Sequence, residues 1–173
     1  MTDLPFLSVE AVVIRAVRVE DLPALEWDGV YTSYRCLFRD MYEDAERGRR
    51  IMLVAVAGSG MVGQVFVQLS STDTQFADGA TRGYLYALRV RPAWRGQGVG
   101  TRLIAAAEAA LRARGFTTAV IAAAKDNTGA VRLYQRMGYW ILMEDPGEWS
   151  FVDADGQEQF VSEPCWVMEK RLE

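Results

Sequence analysis

The chain has 173 residues, half of them apolar and 24% charged, a balance that predicts a single globular domain over residues 1–173. Its formal net charge of -4 disfavours nucleic acid as a partner and fits a cationic small substrate, although mild acidity also serves solubility. The absence of histidine excludes Ser-His-Asp and Cys-His catalysis and His-based zinc centres.

Two cysteines, Cys36 and Cys165, lie far apart with no metal-ligand spacing. We therefore expect buried, reduced thiols and no metal site. No cationic leader and no apolar run of membrane-spanning length stands out, so we expect a cytoplasmic protein that binds neither membrane nor nucleic acid.

The first half of the chain predicts an antiparallel beginning. Alternating or apolar runs favour strands, and Gly58-Ser59-Gly60 is a tight-turn sequence between two of them. We expect these strands over residues 9–17, 51–57, 61–69 and 84–90. An acidic pair followed by Pro23 indicates a helix start, and aromatic residues spaced by three or four predict one or two helices within residues 27–50. Polar residues 70–82 read as a surface loop.

The second half changes period. Residues 100–114 have one apolar helical face, and a second helix is expected between Asp126-Asn127 and Gly138. A strand over residues 117–124 completes a strand, helix and strand, which implies a parallel pair with a right-handed crossover. Later strands are expected from residue 139 and over residues 148–152, 159–162 and 165–170. The predicted fold is therefore an α/β domain with a mixed sheet.

Three glycines at alternate positions, Gly96, Gly98 and Gly100, lie between a predicted strand and a predicted helix. Such a loop can turn its amide N–H groups inward, and the helix adds its positive N-terminal end. We interpret it as a pyrophosphate site with Arg95 at its mouth. The spacing matches neither a P-loop nor a dinucleotide fingerprint, and a simple strand-to-helix turn is the alternative.

The segment Arg95-x-x-Gly98-x-Gly100 resembles the R/Q-x-x-G-x-G/A loop of the GNAT acetyltransferase superfamily. A later pattern of that family, N-x-x-A-x-x-L-Y-x-x-x-G-F/Y, is matched by Asn127, Ala130, Leu133, Tyr134, Gly138 and Tyr139. The resemblance covers most of the chain. It implies a mostly antiparallel sheet with a parallel, splayed strand pair, and acetyl-CoA as the co-substrate, without a metal.

The resemblance also implies the roles of particular residues. Main-chain groups of Leu88 and Val90 would hold the pantetheine arm and the acyl carbonyl, as an added strand would. Tyr134 would be catalytic, protonating or hydrogen-bonding the departing thiolate. The residues implied in cofactor binding are Leu88, Arg89, Val90, Arg95, Gly96, Gln97, Gly98, Val99, Gly100, Thr101, Asn127, Ala130 and Tyr134. Taken singly, Asn127 also reads as a helix cap and Tyr134 as a core aromatic.

The expected reaction is direct attack of a primary amine on the thioester, which requires a base because an alkylammonium is not a nucleophile. Many relatives carry an acid on the strand before the loop, but residues 84–88 contain none. The candidates left open are Tyr86, Glu26, Asp28 and Glu144. Aromatic residues between Trp27 and Tyr42 form either a cation-binding wall or ordinary packing.

The predicted function is an acetyl-CoA-dependent N-acetyltransferase that acts on a primary amine of a small molecule or peptide, and two alternatives stay open. One is a non-catalytic domain that binds acyl-CoA as a sensor, and the other is transfer to a peptide N-terminus. The sequence also leaves a homodimer open, because residues 148–162 predict an extra hairpin whose Trp149 and Phe151 are available for contact with a partner.

Overall fold

The computed structural model describes residues 11–58 and 60–173. The strands are β1 (Val13–Ala16), β2 (Arg50–Ala57), β3 (Gly60–Gln68), β4 (Arg82–Val90), β5 (Thr118–Ala124), β6 (Trp140–Asp145), β7 (Glu148–Val152), β8 (Glu158–Ser162) and β9 (Cys165–Arg171). The α-helices are α1 (Arg35–Glu46), α2 (Val99–Ala113) and α3 (Thr128–Arg136), and shorter 3₁₀ helices cover Val19–Glu26, Thr32–Tyr34 and Pro92–Trp94.

One sheet carries seven strands in the order β1-β2-β3-β4-β5-β9-β6, and β7 and β8 form a separate hairpin. Among the strands of the described residues, only β4 and β5 pair in parallel, and the other neighbours are antiparallel. The crossover between the parallel strands contains α2. The expected mixed sheet, mostly antiparallel with one parallel step, is confirmed.

Helix α2 packs its apolar face on one side of this sheet. Leu103, Ile104 and Leu111 have no exposed surface and belong to the larger core cluster. Gly83 of β4 allows the close approach, because a Cβ atom there would lie 2.4 Å from Leu111 Cδ2. The position of α2 fixes where the glycine-rich loop at its N-terminus lies.

The opposite side of β2, β3 and β4 is covered by α1 and the 3₁₀ helix before it. A second core cluster forms there around the buried side chains of Leu25, Phe38, Met52 and Phe66. The two cores lie on opposite faces of the same strands, so β4 separates two chemically different environments.

Several sequence expectations need adjustment. Strand β1 begins only at Val13, and the part of the expected strand before residue 11 lies outside the described residues, as does Ser59 of the expected hairpin turn. The helix around Pro23 is a 3₁₀ helix that ends at Trp27, whose φ is 48°. An internal proline removes an α-helical hydrogen bond and clashes with the preceding turn, which favours this short form.

Both cysteines are free thiols, as expected, although Cys36 is only partly buried whereas Cys165 is buried. Within residues 11–58 and 60–173, no helix combines the length and the apolar character that crossing a bilayer requires. The cytoplasmic location stays a prediction.

Candidate active site

Strands β4 and β5 stop pairing with each other about half-way along their length. Their parallel pairing runs from Arg82 opposite Thr118 to Leu85 opposite Ile121 and includes no later pair. Residues 86–90 and 122–124 therefore continue as strands without bonding to each other. This gap leaves main-chain donors and acceptors of β4 open to a ligand, which matches the splayed pair implied by the resemblance.

A β-bulge in β4 lies at the start of the gap. Gln64 of β3 pairs with Arg89 and Phe66 pairs with Tyr86, so one residue of β3 faces two of β4. Ala87 in the bulge has a φ of 51°, which costs about 1–2 kcal/mol for a residue with a Cβ atom. Strain of this kind concentrates at functional sites.

The bulge reverses the alternation of side chains along β4. Leu85 lies in the α2-side core, and strict alternation would put residues 87 and 89 on the same side. Instead, Leu88 and Val90 pack in that core, whereas Arg89 lies on the α1 side. Because of this one extra residue, the guanidinium of Arg89 lies on the face of β4 opposite the glycine-rich loop.

A buried polar pair braces the bulge. Gln64 is fully buried, and its Nε2 donates to the Ala87 carbonyl at 3.4 Å. Its Oε1 accepts from Trp27 Nε1 at 3.2 Å. Fully satisfied buried networks of this kind fix local geometry. Trp27 therefore supports β4 from within, which the sequence did not reveal.

The glycine-rich loop makes an open turn into α2. Gly96 and Gly98 have φ values of 73° and 82°, which favour glycine. Gly98 is the N-cap of α2 and offers no side-chain bond, and the first bond into the helix runs from Arg102 N to the Gly98 carbonyl. Amide groups before Arg102 are thus free to meet an anion, with the helix dipole behind them.

The polar side chains of the glycine-rich loop bond to main-chain carbonyls of the protein itself. Arg95 is exposed, and its Nε donates to the Val90 carbonyl at 3.0 Å, which fastens the loop to the end of β4. Gln97 Nε2 likewise donates to the Ala93 carbonyl at 3.0 Å. Val99 is buried under the loop, and Thr101 is exposed in the first turn of α2.

Helix α3 approaches the gap from the β5 side. Asn127 is its N-cap, accepting from Ala130 N at 3.2 Å, so the capping role considered from the sequence is present. Tyr134 is 6% exposed and lies in the core cluster, yet its hydroxyl has no hydrogen-bond partner among the described residues. Burial raises the pKa of Tyr134 to about 12, so the phenol keeps its proton at neutral pH.

Tyr134 also lies near the other side of the gap. Burial raises the pKa of Tyr84, and the neighbouring charges of Cys165, Tyr134 and Asp145 raise it further. Such coupling requires these groups to be near one another. The phenol of α3 therefore lies in the neighbourhood of Tyr84, which lines a cavity.

This cavity, of about 690 Å³, lies between β4, α1 and the β7–β8 hairpin. Aromatic rings dominate its walls, with two arginines and a group of carboxylates between them. The residues concerned are Tyr34, Phe38, Phe66, Phe76, Tyr84, Tyr86, Trp149, Arg50, Arg89, Asp73, Asp145, Glu148 and Glu163. A smaller depression of about 560 Å³ near Gly48 and Arg114 contains none of the motif residues.

Three of the four candidate bases lie away from the cavity. Glu26 bonds Arg35 at 2.7 Å, Asp28 pairs with Arg91 at 3.2 Å, and Glu144 pairs with Lys125 at 3.0 Å. Tyr86 does line the cavity and receives a short hydrogen bond from Arg50. Burial raises the pKa of Tyr86 to about 12 despite Arg50, so the phenol is not a base near pH 7.

The carboxylates that do line the cavity were missed in the sequence. Asp145, Glu148 and Glu163 come from the end of β6, the start of β7 and the loop before β9. The pairing register of β6 and β9 shifts between Ile141 and Met143. After such a shift, the simple alternation of side chains along a strand no longer predicts which face of the sheet an acidic residue lies on.

Aromatic packing holds the β7–β8 hairpin over the cavity. Tyr34 stacks on Trp149 at 6.1 Å and lies 4.7 Å from the Phe151 ring centroid. The hairpin expected from the sequence is therefore present, but Trp149 and Phe151 contact their own chain. The homodimer stays a prediction.

The model of the Acetyltransferase (GNAT) family matches residues 17–139. The chain belongs to this family. Its membership confirms the expected enzyme class, an N-acetyltransferase, and both recognised motifs fall inside the matched region.

The most informative relatives share the fold rather than a close sequence. Mycothiol acetyltransferase of Streptosporangium roseum is 39% identical over 57 residues, which are 33% of this chain but only 17% of that protein. Ard1 from Thermoplasma volcanium has a TM-score of 0.71 at 18% identity, covering 94% of this chain and 99% of its own. Arabidopsis thaliana NAA60, solved in complex with acetyl-CoA, has a TM-score of 0.70 at 17% identity, with coverages of 94% and 99%.

Proposed function

We propose that residues 1–173 form one acetyl-CoA-dependent N-acetyltransferase domain, which transfers the acetyl group to a primary amine by direct attack. The observation that carries this proposal is the gap beyond Leu85 and Ile121, where an open main-chain edge, a glycine-rich helix start and an aromatic cavity meet. Family membership and the acetyl-CoA complex of a structural neighbour support the same co-substrate.

Acetyl-CoA supplies the activated acyl group as a thioester. Its pyrophosphate is assigned to the amides of residues 96–101 and the N-terminus of α2, and its pantetheine arm to the open edge of Leu88 and Val90. Asn127 and Ala130 of α3 are assigned to the pantetheine arm on the resemblance to the family's motif. The side chain of Arg89 is removed from this assignment because it lies on the opposite face of β4; only its main chain belongs there.

Tyr134 is assigned to the leaving thiolate. Its unpartnered hydroxyl can donate a hydrogen bond, and its pKa of about 12 keeps that donor available. A thiol has a reference pKa of about 8.5, so complete proton transfer from the phenol to the thiolate is uphill. We therefore favour hydrogen-bond donation over full transfer.

The proton of the amine requires a different group. Three of the four carboxylates that line the cavity, Asp145, Glu148 and Glu163, come from the segments around the hairpin, and Asp145 is additionally fixed because its Oδ1 accepts from Gly147 N at 2.8 Å. We assign proton removal to this acidic wall, directly or through water. The alternative of an acyl-CoA sensor has no use for such a cavity, and transfer to a peptide N-terminus is tested with the same assay.

The test is release of CoA thiol from acetyl-CoA by the purified chain, with amines, polyamines, amino acids and short peptides as acceptors. We expect acceptor-dependent release with one chemical class and an acetylated product of the matching mass. Stabilisation by acetyl-CoA without release from any class would contradict catalysis and favour the sensor.

A further inference from the structure

Arg89 lies in the cavity wall without an anionic partner. None of the described carboxylates comes within ion-pair distance of it, and its Nη1 is buried with no hydrogen-bond acceptor. The other arginine of the cavity, Arg50, also has a buried Nε without an acceptor, but its other groups bond Tyr86 and pair with Asp44 at 3.4 Å. A buried donor left without an acceptor is costly, more so when it is charged.

The guanidinium of Arg89 is nevertheless held in a defined position. Its Cζ lies 3.9 Å from the Tyr31 ring centroid and 5.7 Å from that of Tyr34. Trp149 of the β7–β8 hairpin stacks on Tyr34, with the ring centroids 6.1 Å apart. Ring faces attract a cation but do not replace an oxygen acceptor for its N–H groups. Two of the aromatic residues considered for a cation-binding wall, Tyr31 and Tyr34, thus face the protein's own cation.

The charges of the cavity are divided between its walls. Three of the four cavity carboxylates, Asp145, Glu148 and Glu163, belong to the segments around the hairpin and the fourth, Asp73, to the loop before β4, whereas Arg89 projects from β4 beside the gap. The carboxylates can take the proton that an amine must lose, whereas the guanidinium of Arg89 attracts an anion. The aromatic lining suits an apolar remainder.

We propose that the acceptor is an amino acid or a similar amino carboxylate, whose carboxylate binds the guanidinium of Arg89 while its amine faces the acidic wall. This rests on the proposed acetyl transfer and specifies its substrate class. Arg suits the task because its fork of N–H donors matches a carboxylate in two parallel bonds. It reverses the cationic substrate that the net charge favoured.

A contact between Arg89 and acyl-CoA is the competing explanation. The phosphate-binding elements lie on the α2 side of β4, with Arg95 bonded to Val90, and Arg89 lies on the α1 side with Tyr31. Kinetics separate the two explanations, because an acceptor contact changes the KM of the acceptor and a cofactor contact changes that of acetyl-CoA.

The experiment compares each of the twenty amino acids with its amide and its decarboxylated amine in the CoA-release assay. We expect kcat/KM to be about 10- to 100-fold higher for the best amino acid than for its two neutralised partners. Arg89→Gln should remove this preference with little change in the KM of acetyl-CoA, and Arg89→Lys should restore part of it. Arg39→Gln, an exposed change on α1, is the matched charge control.

Binding distinguishes failure of this inference from failure of catalysis. Each amino acid and its amide are titrated by calorimetry into the wild type and Arg89→Gln, both saturated with CoA. Carboxylate-selective binding that Arg89→Gln abolishes supports the anion site even if no acceptor turns over. Equal use or binding of amides and amino acids, a preference unchanged in Arg89→Gln, or no binding of any amino acid would overturn it.

Discussion

The α2 side of β4 offers a ligand mainly main chain, whereas the α1 side offers mainly side chains. On the first side, the features are unpaired strand groups after Leu85 and amides of a glycine turn. On the second side, the cavity wall is assembled from aromatic rings, arginines and carboxylates that come from distant segments. The two sides meet at the bulge around Ala87.

This difference explains which half of the site carries a sequence signature. A backbone cradle needs glycines at fixed spacing, so the loop of residues 95–101 is visible in the sequence. A side-chain cavity needs only suitable groups at suitable places, which many sequences can supply. Donor binding and acceptor choice should therefore respond to separate substitutions.

The largest expected effect is at the junction of the two sides. Tyr134→Phe should lower kcat by about 100-fold, because one donor to a developing negative charge is lost. Affinity for acetyl-CoA, measured by calorimetry, should stay within about twofold of the wild type. Tyr42→Phe is the control, since that hydroxyl bonds Glu46 on the surface at 3.1 Å. An unchanged kcat in Tyr134→Phe would remove the phenol from the mechanism.

The next effect should be confined to the donor side. Gly98→Ala should raise the KM of acetyl-CoA about 10-fold, because the φ of 82° strains a Cβ-bearing residue and displaces the loop amides. Gly115→Ala introduces comparable strain at a φ of 80°, also in open space, after the other end of α2. Both should lose about 1–2 kcal/mol of stability. Equal KM values in the two variants would mean that the loop does not bind the donor.

The corresponding change on the acceptor side is Gly147→Ala. A Cβ atom there would lie 1.9 Å from the Glu163 carbonyl oxygen, so the base of the hairpin must shift together with Asp145 and Glu148. We expect the KM of the acceptor to rise about fivefold, since the shift is partial. The KM of acetyl-CoA should not change.

Its control lies at the tip of the same hairpin. Gly156→Ala also places a Cβ atom at positive φ, 81°, but meets nothing within 4 Å. It should lose stability without changing either KM. A rise in the KM of acetyl-CoA for Gly147→Ala would show that the two sides are not independent.

The sequence was sufficient for the sheet, its parallel step and the donor-side elements, since periodicity and glycine spacing are local properties. It was insufficient for Arg89, because strict alternation misplaces every residue after the bulge, and Ala87 is not a residue that marks positive φ. It left Glu144 open among four candidate bases but did not indicate its neighbour Asp145, which lines the cavity. Both placements depend on register shifts, which long-range pairing determines.

The smallest effect is expected for a substitution of Asp78, which supports the start of β4. Because the α1 side and the α2 side of the site share this strand, the substitution should not act on one side alone. Its carboxylate accepts from the amides of Ala80, Thr81 and Arg82 at 2.7–2.9 Å. Burial alone would raise the pKa of Asp78, but the hydrogen bonds from the Thr81 hydroxyl and these amides lower it well below its usual range.

A lowered folded-state pKa means that this stabilisation is present at neutral pH and is lost as the pH falls below the unfolded value near 4. Asp78→Asn should therefore be about 1–2 kcal/mol less stable than the wild type at pH 7, allowing for solvent screening. The difference should shrink towards pH 3 in urea unfolding, and both KM values should stay unchanged at neutral pH. A difference that is constant with pH would assign the effect to shape rather than charge, and a change in one KM alone would mean that the start of β4 belongs to that side.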